Sequence, residues 1–174
     1  MAALLELRDN GTAHDDVHLS FEGIEEIADS YYLALDNGVE PDDESPSKSF
    51  LVLRRLLEQW RENLKAASEG DVLFLPYDFS DQYTGCLRCE RNAVGLHVAH
   101  GYSSREGWSF NPSDISDYVR SIEDFRLGSI AATGKETEGI QIDFEEFLSL
   151  VDSSIVGAKP TQAEHDVGLK GLQP

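Results

Sequence analysis

DVLFLPYDFSDQYTGCLRCERNAVGLHVAH, residues 71–100, decides the fold. DVLFLP is a short apolar run ending at Pro76, and two more apolar runs, TGCLRCE and AVGLHVAH, flank Arg91-Asn92. Short apolar runs bounded by turn residues read as strands, and two of them joined by a two-residue turn read as an antiparallel hairpin. With that turn at Arg91-Asn92, Cys86 stands opposite His97 on a half-exposed face. Cys89 then shares the other face with Leu87, Val94, Leu96 and Val98. YDFSDQY, between the first two runs, reads as a polar aromatic loop.

Upstream lies the strongest helical signal in the chain. Phe50, Leu53, Leu57, Trp60, Leu64 and Ala67 recur at steps of three and four, Ser45 and Pro46 stand at the start, and Glu69-Gly70 closes the run. Its other face alternates Arg54, Arg55, Arg61 and Lys65 with Glu58 and Glu62, a solvated pattern that is also able to dock the acidic N-terminal region. Downstream, NPSDISDYVRSI predicts a helix capped by Ser113, with Ile115, Tyr118, Val119 and Ile122 inward. LGSIAA reads as an edge strand, and DFEEFLSLVDS as a last helix burying Phe144, Phe147, Leu148 and Val151.

Toward the N-terminus, Leu4–Leu7 and Val17–Phe21 alternate like strands around a loop, DNGTAHDD. After Gly23, the residues Ile24, Ile27, Tyr31 and Leu35 fall at helical spacing before Asn37-Gly38, which predicts a helix, although SYYLAL also suits a strand. VEPDDESPS has no apolar periodicity and reads as a solvated loop. Strands paired by short turns, with helices grouped rather than alternating, predict an α+β fold: one antiparallel sheet with helices mainly on one face. A single domain over 1–154 and a flexible tail over 155–174 complete the expected organisation.

Charge narrows the function. The chain has 33 acidic and 14 basic residues among 174, a formal charge of −19. Residues 1–45 contribute 13 acids and one base, Arg8. Such a field opposes direct binding to nucleic acid or to an anionic membrane, and it favours solubility and fast capture of a cationic partner. Acidic composition serves solubility alone in many proteins, so charge permits a basic partner without requiring one. No apolar run reaches membrane-spanning length and MAALLELRDN lacks a secretory pattern, so a cytoplasmic location is expected. Two cysteines three residues apart read as reduced thiols.

Four zinc-type ligands, Cys86, Cys89, His97 and His100, lie within fifteen residues. The strand reading divides them between faces, with Cys89 in the core. HDDVH, with His14 and His18, offers nitrogen and oxygen ligands but reads more simply as a solvated turn, and the loops at Asp36 and Asp42 lack the EF-hand pattern. GSIAATGKE has a phosphate-loop spacer one residue too long and Glu136 in place of the hydroxyl, and GYSSR has Arg105 where a nucleophile elbow needs glycine. No glycine-rich dinucleotide motif follows a strand, and the carboxylate pairs Asp78/Asp81 and Asp114/Asp117 arise freely in so acidic a chain. No cofactor is expected.

Aromatic residues carry more information. Tyr77, Phe79 and Tyr83, then Tyr102, Trp108 and Phe110, gather near the ends of the hairpin strands, where interface anchors commonly come from. The plainer reading is that Trp108 and Phe110 plug the sheet onto the following helix. LPYDFSDQYTGCLRC and REGWSFNPSDISDYVRSIEDF resemble a group of short acidic bacterial proteins with LPF-D-x-S-D and EGWSF-x-PSD segments, over roughly residues 70–125. No established activity attaches to that group; in size and acidity it is similar to immunity proteins that neutralise toxins, which implies no catalytic residue.

The leading expectation is an acidic binding module of immunity or inhibitor type facing a basic protein. Trp108, Tyr77 and Tyr83 would anchor it, with Asp42, Asp43, Glu44, Asp78 and Asp81 at the rim. A metalloprotein or enzyme using Cys86, His97 and nearby acids is the alternative. A DNA mimic, with carboxylates spaced like phosphates, is a third.

Overall fold

A computed structural model describes residues 3–39, 46–128 and 138–160. The first sheet is an antiparallel meander of β1 (Leu5–Leu7), β2 (Val17–Phe21) and β3 (Ile24–Ala28). A four-residue helix α1 (Tyr31–Ala34) and the long α2 (Pro46–Ala66) follow. The second sheet contains β4 (Val72–Phe79), β5 (Thr84–Asn92), β6 (Gly95–Ser103), β7 (Arg126–Leu127) and β8 (Ile140–Ile142), with β7 and β8 both pairing along β6. Helix α3 (Phe144–Gly157) closes the chain's described part, contacting α2, β1 and β6. All strand pairs are antiparallel, so the fold is α+β as expected.

The α2 reading holds in detail: Phe50, Leu53, Leu57, Trp60 and Leu64 are buried, with Val52 and Leu56 beside them. Gly70 takes a φ of +90°, a backbone state glycine adopts at little cost, and ends the run. Among the described residues, the arginines of α2 bond to Glu58, Glu62 and, on α3, Asp152. Helix α3 continues to Gly157 and buries Ile155.

Three expectations need correction. Residues 24–28 form a strand, not the start of a helix, because Glu22 and Gly23, with φ of 46° and 87°, make a tight turn that returns the chain along β2 with Phe21 opposite Ile24. Residues 113–122 form turns rather than a helix. The amides that would start a helix there go to other partners: Ser113 N–H donates to Asp36 and Ile115 N–H to the Gln59 side chain, while Gln59 donates to Pro112 O. Ile115, Tyr118 and Val119 are nevertheless buried, as their spacing predicts. Finally, the hairpin turns at Ala93-Val94, two residues later than Arg91-Asn92, and pairs Asn92 with Gly95. Of LGSIAA, Leu127 is in β7, and the residues from 129 on lie outside the described part.

Candidate functional site

Pro76 builds the site. β4 is the edge strand of its sheet, and the neighbouring amide of Phe74 points outward to Val119 O, so a proline two residues on removes no ladder bond. The register then slips between Pro76 and Asp78, a bulge at Tyr77. Tyr77 keeps the face it shares with Leu75, and Asp78, paired with Gly85 after the slip, is turned onto that same face. A bulge is what allows two adjacent residues to look into one cleft.

Across β4, β5 and β6, Asp78, Gly85 and Tyr102 lie in one row, with Leu75, Leu87 and His100 in the next. Gly85 has no side chain, and a Cβ there would stand 2.8 Å from the Asp78 Cβ. The gap it leaves forms the floor of a 480 Å³ cleft walled by Tyr77, Asp78, His100 and Tyr102, with Tyr83 on the loop and Glu26 from β3. Tyr83 is held over the cleft by a tight 80–83 loop in which Ser80 N–H donates to Tyr83 O and Tyr83 N–H to Ser80 Oγ. Its ring stands 6.0 Å from that of Tyr102.

The charges inside are one-sided. Burial pushes the Asp78 carboxyl up to about 6, against a hydrogen bond from Tyr83 and with repulsion from Asp29 and Glu26 adding to it. The Tyr83 phenol is raised chiefly by the Asp78 charge, and Tyr77 chiefly by burial. Burial lowers the His100 imidazole, whose Nε2 lies 3.7 Å from Glu26 Oε1. Among the described residues, no lysine or arginine lines the cleft.

Two neighbouring hollows extend it. One of 360 Å³ shares Asp78 and Tyr83 and adds Ile27, Asp29, Tyr31 and Asp81. Asp81 accepts a hydrogen bond from Tyr32, and Asp29 accepts from His14, raising that imidazole. A third, of 220 Å³, shares Tyr32 and reaches Leu35, Asp36 and Trp108. Six of the ten large hydrophobic side chains that stand exposed among the described residues line these three hollows. Ile27, Tyr31 and Leu35, which helical spacing assigns to a core, are 57%, 43% and 41% exposed and sit on this face instead.

Tyr77, Asp78, Tyr83 and His100 are therefore brought together, and Asp81 borders them. Tyr77, however, is only 4% exposed and Asp78 is partly buried, so these two form an interior wall rather than an anchor and a rim. Trp108 is 61% exposed, whereas Phe110 stacks on Tyr118 at 4.9 Å, so only one of that pair plugs the core. Glu26 and Asp29, hidden in sequence by their place in an expected helix, complete the site. Asp42, Asp43 and Glu44 lie outside the described residues. Asp16 and Asp36 are buried and consumed internally, Asp16 by Ser30 and Asp36 by Ser113 and Gly38.

The cysteines and histidines do not converge. Cys86 pairs with Gly101 and Cys89 with Val98, so Cys86 and His97 lie on one face, about four residues or 13 Å apart along the strand, and Cys89 and His100 on the other. Cys86 is fully buried rather than half-exposed, and burial pushes its thiol up to about 12. Among the described residues no three His, Cys, Asp or Glu side chains are grouped to hold a metal ion, and no helix is long and apolar enough to cross a membrane. No protein-family model, curated protein or solved structure matches the chain.

Proposed function

We propose that the protein is an acidic binding module of immunity or inhibitor type that takes a cationic surface of another protein into the line of hollows from Trp108 to Tyr102. The observation that carries this reading is the pairing of exposed rings with a row of carboxylates. Trp108, Tyr31, Tyr83 and Tyr102 stand partly exposed beside Glu26, Asp29, Asp78 and Asp81, and among the described residues no lysine or arginine lines the three hollows. Rings supply buried area at low entropic cost, and carboxylates at the edge steer and orient a basic partner. The charge of the whole chain acts in the same direction.

The reading is tested by capturing partners from an extract of the producing organism, purifying what is retained, and titrating it against wild type and Trp108→Ala. A basic protein that binds wild type, loses affinity with added salt and binds the variant more weakly is expected. Retention of no basic protein, or binding indifferent to salt, refutes it.

A further inference from the structure

The cleft floored by Gly85 has features that go beyond a charged surface. Tyr77 is 4% exposed, yet its hydroxyl has no hydrogen-bond partner among the described residues. The hydroxyl end faces the cleft, since the ring carbon bearing it lies 3.4 Å from the position of a Cβ on Gly85. The ring is packed away and the hydroxyl opens only onto the cleft, which leaves the phenol oxygen free to bond to whatever enters it. Beside it stand two carboxylates on different elements, Asp78 and Glu26, and at the mouth the tilted rings of Tyr83 and Tyr102.

These groups define the ligand by chemistry. An anion would meet repulsion from Asp78 and Glu26. A neutral apolar group would leave the Tyr77 hydroxyl without a bond and the negative charge of both carboxylates uncompensated. A compact ammonium satisfies charge but not the breadth of the site. A guanidinium is flat enough to lie against a tyrosine ring, carries five N–H donors in a fan that reaches two carboxylates and a phenol oxygen at once, and loses little hydration on entry. The geometry points to this cleft as the receptor for one arginine side chain of the partner, held by Asp78 and Glu26, accepted by the Tyr77 hydroxyl and covered by Tyr83 and Tyr102. This rests on the binding-module reading and names the residue type that reading leaves open.

The test uses the whole protein and small probes: arginine blocked at both termini, blocked lysine, and blocked citrulline, the uncharged isostere of arginine. Binding is followed by shifts of the tyrosine resonances. Arginine is expected to bind at least about tenfold more tightly than citrulline and more tightly than lysine. Asp78→Asn should weaken arginine about tenfold at pH 7.5, and Tyr77→Phe, which removes only an oxygen, should weaken it measurably in a chain that keeps its native spectrum. Wild-type affinity should fall about tenfold from pH 7.5 to pH 5 as Asp78 takes up a proton. Glu26 and His100 face the same cleft, with Asp29 and the phenols of Tyr77 and Tyr83 around it, and a proton taken up by His100 acts in the same direction. The fall should therefore be shallower in Asp78→Asn. Equal binding of citrulline and arginine, or undiminished binding by Asp78→Asn, overturns the inference. If a basic partner binds the protein but blocked arginine does not, this inference fails while the module reading stands. If arginine binds but no basic partner exists, the reverse holds.

Discussion

Replacing Asp78 with asparagine should make the protein more stable at neutral pH. Burial raises this carboxyl from its ordinary 3.8 to about 6, roughly two units, or about 3 kcal/mol at 1.36 kcal/mol per unit. The cleft is open to water at its mouth, and screening there reduces the expected difference to about 1–2 kcal/mol. A carboxyl with a raised folded-state value binds its proton more tightly in the folded chain than in the unfolded one. Its contribution therefore favours folding as pH falls from above 6 toward 4 and opposes folding above 6. Asparagine keeps the shape and does not titrate. Urea unfolding of both proteins should show Asp78→Asn about 1–2 kcal/mol more stable at pH 7.5, with the advantage shrinking or vanishing by pH 4 and with equal m-values. A variant less stable than wild type at pH 7.5, or a difference that does not change with pH, would mean that the carboxylate is neutralised within the fold and that the cleft has no unbalanced charge to offer a ligand.

Other consequences follow from particular contacts. Gln59→Ala should destabilise the chain by about 2–4 kcal/mol in urea unfolding, since it leaves Ile115 N–H and Pro112 O buried without partners. Trp108→Ala should change stability by no more than about 0.5 kcal/mol while weakening partner binding by about 2 kcal/mol, which titration calorimetry separates from a folding defect. Both thiols should resist a disulfide reagent in the native protein at pH 8 and react fully in denaturant, because burial raises Cys86 and Cys89 alike. Gly85→Ala should lower affinity for arginine by placing a methyl group on the cleft floor against Asp78.

Long, strongly periodic segments were legible from residues alone. The repeat from Phe50 to Leu64 placed α2 because one apolar face is sufficient to fix a long helix, and the hairpin strands were visible from their apolar runs. The hairpin register was not, since residues 91–94 offer two turn positions, and the structure uses the later one, where Gly95 takes a φ of +141° and β8 passes so close that a Cβ would lie 2.1 Å from Ile142 O. The predicted helix at 24–35 forms only over Tyr31–Ala34 and that at 113–122 does not form, for different reasons. At 24 a two-residue turn carried by Glu22-Gly23 overrode the apolar spacing; at 113 side chains distant in sequence, Asp36 and Gln59, took the amides that begin a helix. The site followed the same division. Tyr77, Asp78 and Tyr83 were legible as an aromatic and acidic cluster, but the bulge after Pro76 arises from a pairing no local pattern encodes, and the strand that supplies Glu26 from the turn at Glu22-Gly23 that helical spacing concealed. Ile27, Tyr31 and Leu35 carried a usable signal, read in the wrong direction: with Ile27 in β3 and only one helical turn over Tyr31–Ala34, their helical spacing builds no common buried face.

The most direct test of the account is to map an arginine-rich peptide onto the protein by two-dimensional NMR at physiological salt. The account predicts the largest shifts at Tyr83, Tyr102, Asp78, Ile27 and Trp108, lost when the peptide's arginines are replaced by citrulline. Shifts spread evenly over the acidic surface, or centred on the outer face of α2, would contradict it.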